Sequence, residues 1–119
     1  MAAILLLVDD DPIFRSLATD ILRDLGVENI VQAATAAAAV EKALDVRPDA
    51  VLVDVGLPDR DGIDLAHELG ALPWRPAIVL ISADRDAAAR IQSGSDGAPP
   101  FVPKDELPNA PLLHLLQLD

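Results

Sequence analysis

Two kinds of segment alternate along the chain, and their spacing predicts the secondary structure. Short continuous apolar runs are typical of strands buried on both faces of a parallel sheet. Longer stretches with an apolar residue every three or four positions are typical of helices that pack on such a sheet. The predicted strands are residues 4–8, 29–33, 50–53, 77–81 and 101–102.

A predicted helix follows each strand, and capping residues fix where two of these helices begin. Asp11 is the expected N-cap of a helix that starts at Pro12 and is stopped by Gly26, and Thr35 is the expected N-cap of a helix over 36–46. The other predicted helices cover 62–72, 86–93 and 109–118. Apolar residues at every fourth position line one face of the first helix: Ile13, Leu17, Ile21 and Leu25. The expected buried stripe of the third helix includes Ile63, Ala66 and Leu69, and the last helix offers Leu112, Leu113, Leu115 and Leu116 for packing.

Five strand-helix units in succession predict an α/β fold with a mostly parallel sheet and helices on both faces. The chain of 119 residues fits one domain, and we expect residues 1–119 to form it. Ligands of such sheets bind beyond the carboxyl ends of the strands, so the residues that follow each strand are the candidates for function.

Composition excludes several classes of function. With 9 basic and 20 acidic residues, the net charge of -11 repels nucleic-acid backbones and anionic lipids, so we expect neither as a partner. The chain has no cysteine, which excludes disulfides and thiolate chemistry and is compatible with a reducing cytoplasm. The apolar run at 2–8 is too short for a signal peptide or a membrane span.

The residues that follow the strands are mostly charged, and we expect them to converge at one edge of the sheet. They are Asp9, Asp10 and Asp11 after the first strand, Asp54 after the third, Ser82 after the fourth and Lys104 after the fifth. Crowded carboxylates repel one another, and an all-oxygen site suits Mg²⁺. We expect Asp10, Asp54 and the backbone carbonyl of Gly56 as direct ligands, with Asp9 acting through water.

This set of residues suits phosphoryl transfer to a carboxylate, which can attack phosphorus and form an aspartyl phosphate. Mg²⁺ and the Lys104 ammonium would neutralise the phosphoryl oxygens, while the Ser82 hydroxyl and nearby backbone N–H groups would donate hydrogen bonds to them.

The motifs LLLVDDDP, VLVDVGLPDRDG, VLISAD and GAPPFVPK resemble those of the receiver domains of two-component response regulators, and the resemblance covers essentially the whole chain. It implies a doubly wound, flavodoxin-like sheet with strand order 2-1-3-4-5. It also implies phosphorylation by a sensor histidine kinase or a phosphotransfer protein, slow self-catalysed dephosphorylation, and changed partner binding or dimerisation on activation. The implied roles are an acidic pair at Asp9 and Asp10, a phosphoacceptor at Asp54, a catalytic lysine at Lys104, a switch hydroxyl at Ser82 and a switch aromatic at Phe101.

Two features depart from the family pattern. Family members usually place a proline after the lysine, often with a cis peptide bond, whereas Asp105 follows Lys104 here and could compete for its ammonium. The glycines and prolines at 94–100 also predict a fourth helix that is shorter or looser than the family norm. His67 and His114 have no predicted ligand partner and Trp74 lies in a proline-rich loop, so all three are interpreted as structural or exposed.

Two other functions remain open from the sequence. A small phosphatase of the haloacid dehalogenase type would use Asp9 as nucleophile and Asp11 as acid, although it would leave Asp54 without a role. A receiver-like module could instead act by protein contact alone, without phosphorylation.

Overall fold

A parallel five-stranded sheet forms the centre of the computed structural model, which describes residues 3–84, 86–87 and 99–119. The strands are β1 (Ile4–Val8), β2 (Asn29–Ala33), β3 (Ala50–Asp54), β4 (Ala77–Ser82) and β5 (Phe101–Pro103). Their order is β2-β1-β3-β4-β5 and every neighbouring pair is parallel. The predicted fold class and strand order are therefore confirmed.

The helices of the described residues are α1 (Pro12–Asp24), α2 (Ala36–Val46), α3 (Gly62–Gly70), a 3-10 helix η1 (Lys104–Asn109) and a short helix α4 (Leu112–Leu115). The predicted caps are confirmed, because Asp11 accepts a hydrogen bond from Ile13 N and Thr35 accepts one from Ala38 N. Gly26 follows α1 with a φ of +100°, a backbone conformation that glycine adopts more readily than other residues. No helix in these parts of the chain has the length and hydropathy needed to cross a membrane.

The core lies in two layers, one on each face of the sheet, because successive strand side chains point to opposite faces. Leu6 and Val53 pack with α2 and α3 on one face, while Leu5 and Leu52 pack with α1 and α4 on the other. The central strand β3 is buried along its whole length. Asp54, the last residue of β3, is therefore buried even though it lies at the carboxyl edge of the sheet.

The apolar face of α1 that the spacing predicts is mostly exposed, since Ile13 is 80% exposed, Leu17 51% and Leu25 42%, and only Ile21 packs partly buried against the core. The buried stripe is the adjacent one, formed by Phe14, Ala18 and Leu22. Both stripes repeat every four residues and lie side by side on the helix, so the spacing alone does not say which one faces the sheet.

The end of the chain also differs from the prediction of one helix over 109–118. Pro108 and Pro111 have no backbone N–H and restrict the residues before them, so a 3-10 helix ends at Asn109 and α4 spans four residues. Leu112 and Leu116 are buried as predicted.

The third helix ends at Gly70, earlier than predicted. Ile63, which was expected in its buried stripe, is only partly buried, whereas Leu65 is fully buried. Ala66 and Leu69 are buried as predicted. The helix predicted over 86–93 lies outside the described residues apart from Asp86 and Ala87.

Candidate functional site

Polar residues are rarely buried in this protein, and those that are buried cluster at the carboxyl edge of the sheet. Of the four buried polar or charged residues among those described, three follow or end a strand: Asp9, Asp54 and Ser82. Asp9 is fully buried, and Asp54 and Ser82 are 5% and 7% exposed. Burial of two carboxylates requires compensating charge, which identifies this edge as the candidate site.

Lys104 supplies that charge from the residue after β5. Its Nζ lies 2.7 Å from Asp9 Oδ2 and 3.5 Å from Asp54 Oδ2. The same ammonium lies 4.5 Å from the centre of the Phe14 ring, a favourable position for a cation over an aromatic face. Acid and base predicted from separate strand ends are thus in direct contact.

Backbone groups orient the carboxylates. Asp9 Oδ1 accepts a hydrogen bond from Asp11 N at 2.9 Å, and Asp54 Oδ1 accepts one from Gly56 N at 3.2 Å. The Arg15 guanidinium donates to the backbone carbonyl of Asp9 at 2.6 Å, which connects α1 to the end of β1. The remaining carboxylate oxygens, Oδ2 of Asp9 and Asp54, face Lys104.

The environment shifts the pKa of Asp54 and of Lys104. Burial raises the pKa of Asp54, the Asp9 carboxylate adds to this effect, and the Gly56 N–H and Lys104 offset only part of it. Burial by itself would lower the pKa of Lys104, but contact with Asp9 and Asp54 outweighs it and raises that pKa. The lysine is therefore held as a cation, while ionised Asp54 lacks full compensation.

An oxygen-ligand set for a metal ion is present at the same place. One carboxylate oxygen from each of Asp9, Asp10 and Asp54 lies within 4.8 Å of the others, and Asp10 is exposed to solvent. The three carboxylates and the Lys104 ammonium, which contacts two of them, together carry an excess of two negative charges, and hard oxygen ligands with solvent access suit Mg²⁺. These residues therefore fit the predicted ion.

The first residue of α3, Gly62, lies directly against the backbone of Asp54 at the end of β3. A Cβ on Gly62 would lie 2.1 Å from the Asp54 backbone carbonyl oxygen, so no other residue fits this close approach without displacing the backbone. Asp61 caps α3 by accepting from Ile63 N at 2.8 Å. The sequence DG before an apolar helix therefore marks the point where α3 supports the site.

Ser82 and Phe101 lie near the site in different environments. Ser82 Oγ accepts a hydrogen bond from Asp84 N at 3.0 Å. Phe101 is partly buried and packs against the core layer of α2 and α3. Their roles as switch residues stay predictions.

The residues interpreted as structural lie away from this edge. His67 and His114 are exposed, and His114 Nδ1 lies 3.4 Å from Asp119 Oδ2. Trp74 Nε1 donates to the Pro48 carbonyl at 2.9 Å, with the Arg47 guanidinium 4.6 Å from its ring centre. Trp74 is therefore a packing residue.

Sequence reasoning missed Phe14 and Arg15 as supports of the site. Both lie in the first turn of α1, directly after the three aspartates, and this position next to the acidic residues is the signal in the sequence that points to them. The neighbouring stripe of Ile13 and Leu17 is equally regular, so the spacing alone does not single out Phe14.

Similarity to characterised proteins supports the same interpretation. Residues 5–116 match the family model of the response regulator receiver domain. Among curated proteins, the chain is 33% identical over 102 residues to a protein-glutamate methylesterase/protein-glutamine glutaminase of Nocardioides sp., covering 83% of this chain and 28% of that protein. The corresponding protein of Archaeoglobus fulgidus is 32% identical over 102 residues, covering 85% and 29%. The chain thus spans less than a third of the length of these relatives.

Solved structures show the same fold. Chemotaxis protein CheY4 of Vibrio cholerae superposes with a TM-score of 0.82 at 22% identity, over 100% of both chains. A putative response regulator of Chloroflexus aurantiacus gives 0.81 at 27% identity, over 98% of this chain and 99% of the other. With the family match over residues 5–116 and the acidic edge described above, the chain belongs to the response regulator receiver domain family.

Proposed function

We propose that this receiver domain accepts a phosphoryl group on Asp54 in a Mg²⁺-dependent reaction, with a histidine kinase or a phosphotransfer protein as the donor. The observation that carries the proposal is the position of the Asp54 carboxylate, which lies within 4.8 Å of carboxylate oxygens of Asp9 and Asp10 and 3.5 Å from the Lys104 ammonium. Attack by an Asp54 oxygen forms the bond to phosphorus, and the bond from phosphorus to the donor nitrogen breaks with its electron pair.

The residues of the site divide the work of positioning and neutralisation. Asp9, Asp10 and Asp54 would hold Mg²⁺, together with the Gly56 carbonyl, and the ion would supply positive charge to the transferring oxygens. Lys104 provides the second positive charge from the other side, and it is held at the site before the reaction by Asp9. Water then hydrolyses the acyl phosphate, which releases inorganic phosphate and regenerates the Asp54 carboxylate, so the chemistry of the domain is limited to phosphorylation and dephosphorylation of its own aspartate.

The phosphatase alternative is less well supported by the geometry. It requires Asp9 as nucleophile, but Asp9 is fully buried and its Oδ2 lies 2.7 Å from Lys104. A binding module that is never phosphorylated would not need a set of carboxylate oxygens arranged to bind an ion. It is retained as the outcome if phosphorylation fails in a folded protein.

The first test is phosphorylation by a small phosphodonor with Mg²⁺, followed by intact mass measurement. The wild-type protein should gain the mass of one phosphoryl group, and Asp54→Asn should gain none. A wild-type protein that folds and binds Mg²⁺ without gaining this mass would support the binding module instead.

Lys104→Ala extends the same experiment. It should fold and bind Mg²⁺, because Lys104 is not a metal ligand, but it should be phosphorylated about 100-fold more slowly or worse, the typical effect of removing one electrostatic donor. A wild-type rate in this variant would show that another group neutralises the phosphoryl oxygens.

The second prediction concerns the metal. Mg²⁺ at 100 times its dissociation constant should stabilise the fold by about 2.7 kcal/mol, because it binds only the native site. This stabilisation is measured as an increase in melting temperature, and Asp10→Ala should abolish it. Asp20→Ala is the matched control, since Asp20 is an exposed aspartate within α1 and its loss should leave the Mg²⁺ response intact. An equal response in Asp10→Ala would contradict the assignment of Asp10 as a ligand.

The third prediction is that Asp54→Asn stabilises the metal-free protein near neutral pH. Because folding raises the pKa of Asp54 above 3.8, its contribution to stability is fully present below that pH and is lost as the pH rises through the raised pKa. The stability advantage of Asp54→Asn should therefore grow between about pH 4 and pH 7. Denaturant unfolding in the presence of a chelator measures it, with Asp20→Asn as control. A difference independent of pH would contradict the argument.

The fourth prediction concerns output: phosphorylation should draw the Ser82 hydroxyl toward the phosphoryl group and let Phe101 turn inward, changing partner binding or dimerisation by about 5- to 150-fold. In the resting structure Ser82 Oγ accepts a hydrogen bond from Asp84 N, whereas its hydroxyl would act as the donor to a phosphoryl oxygen. Amide exchange at residues 83–104 should slow on activation by a beryllofluoride mimic. Ser82→Ala should accept phosphate but show less of this slowing, and a wild-type response in Ser82→Ala would show that the switch does not run through Ser82.

A further inference from the structure

The loop between β3 and α3, residues 55–61, is hydrogen-bonded to the start of α2 through the side chain of Asp59. Asp59 Oδ1 accepts a hydrogen bond from Ala36 N at 2.9 Å, and Asp59 Oδ2 accepts one from Ala37 N at 3.1 Å. Ala36 and Ala37 are the first residues of α2. The loop that leaves the acidic site is therefore fastened to a helix more than twenty residues earlier in the chain.

This tie is additional to the local cap of α2. Thr35, the N-cap, accepts only from Ala38 N at 3.1 Å, so Asp59 satisfies two N–H groups that a helix start would otherwise leave to water. A carboxylate is favoured there because the helix dipole is positive at this end. These hydrogen bonds also lower the pKa of Asp59, so the tie persists as a charged interaction at neutral pH.

The other contacts of the loop lead from Asp59 back to the site. Gly56 N donates to Asp54 Oδ1 at 3.2 Å, and Gly62 N donates to the Val55 carbonyl at 3.0 Å. Between them, Leu57 is 9% exposed and belongs to the core layer that contains Ala36. The loop is thus held by backbone hydrogen bonds at its two ends, by the burial of Leu57, and by the hydrogen bonds of Asp59 to α2.

We propose that Asp59 is a positioning residue, which fixes this loop against α2 and so holds Gly56 in contact with Asp54. Loss of the tie releases the outer part of the loop and weakens the site that the loop completes. The expected effects on metal binding and phosphorylation rest on the proposed function. The expected effect on the hydrogen bond between Gly56 and Asp54 is independent of it.

The competing explanation is that Asp59 only caps α2. Thr35→Ala separates the two, because it removes a cap of the same helix end without touching the loop. Both Asp59→Ala and Thr35→Ala should lower the stability of the protein, since each removes capping of α2. Only Asp59→Ala should alter the site.

The experiment measures Mg²⁺ affinity by calorimetry and, with a chelator present, amide hydrogen exchange at Gly56. Asp59→Ala should weaken Mg²⁺ binding by about tenfold, the lower end of the effect of removing a residue that positions a metal site from outside its ligand shell, and should speed exchange at Gly56. Asp59→Asn keeps one acceptor oxygen and should restore part of both properties. Thr35→Ala should keep the wild-type values of both.

Equal effects of Asp59→Ala and Thr35→Ala on the site, or none from Asp59→Ala, would overturn the inference. Failure of the proposed function would look different: the wild-type protein would bind no Mg²⁺ or accept no phosphoryl group. In that case exchange at Gly56, compared between Asp59→Ala and Thr35→Ala, decides the role of Asp59 on its own.

Discussion

A lysine ammonium placed between two buried carboxylates is the interaction on which this site depends. Asp9 is fully buried and Asp54 nearly so, and removal of either from water is costly unless an opposite charge accompanies it. Lys104 compensates one of these two negative charges, and the nearby carboxylate of the solvent-exposed Asp10 adds a third. Uncompensated negative charge therefore remains among these groups at the carboxyl edge of the sheet, and this is the charge that the proposed Mg²⁺ would neutralise.

The fold could be predicted to a large extent because its signals are local. Strands β1 and β2 and helix α2 have the predicted bounds, since each is delimited by a cap, a glycine or a charged residue next to a regular apolar pattern. The site residues could be predicted for a related reason. In a parallel sheet all carboxyl ends meet at one edge, so knowing the strands is enough to bring Asp9, Asp54 and Lys104 together.

What the sequence could not supply depends on long-range contact. The choice between the Ile13 and Phe14 stripes of α1 depends on how the helix is rotated on the sheet, and both stripes satisfy the same periodicity. The tie from Asp59 to α2 joins segments that no local pattern connects. The difference at the last helix has a local cause, because Pro108 and Pro111 lie in the sequence itself and their missing N–H groups limit helix formation there.

The aspartate that follows Lys104 shows how the site tolerates a departure from the family pattern. Asp105 is exposed and lies in η1, the described residues contain no cis peptide bond, and Lys104 Nζ nevertheless contacts Asp9 and Asp54. Pairing of β5 with β4 places the backbone before the lysine, and the carboxylates and the Phe14 ring then attract its ammonium from the other side. The lysine is therefore positioned by the strand that precedes it and by the charges that it faces.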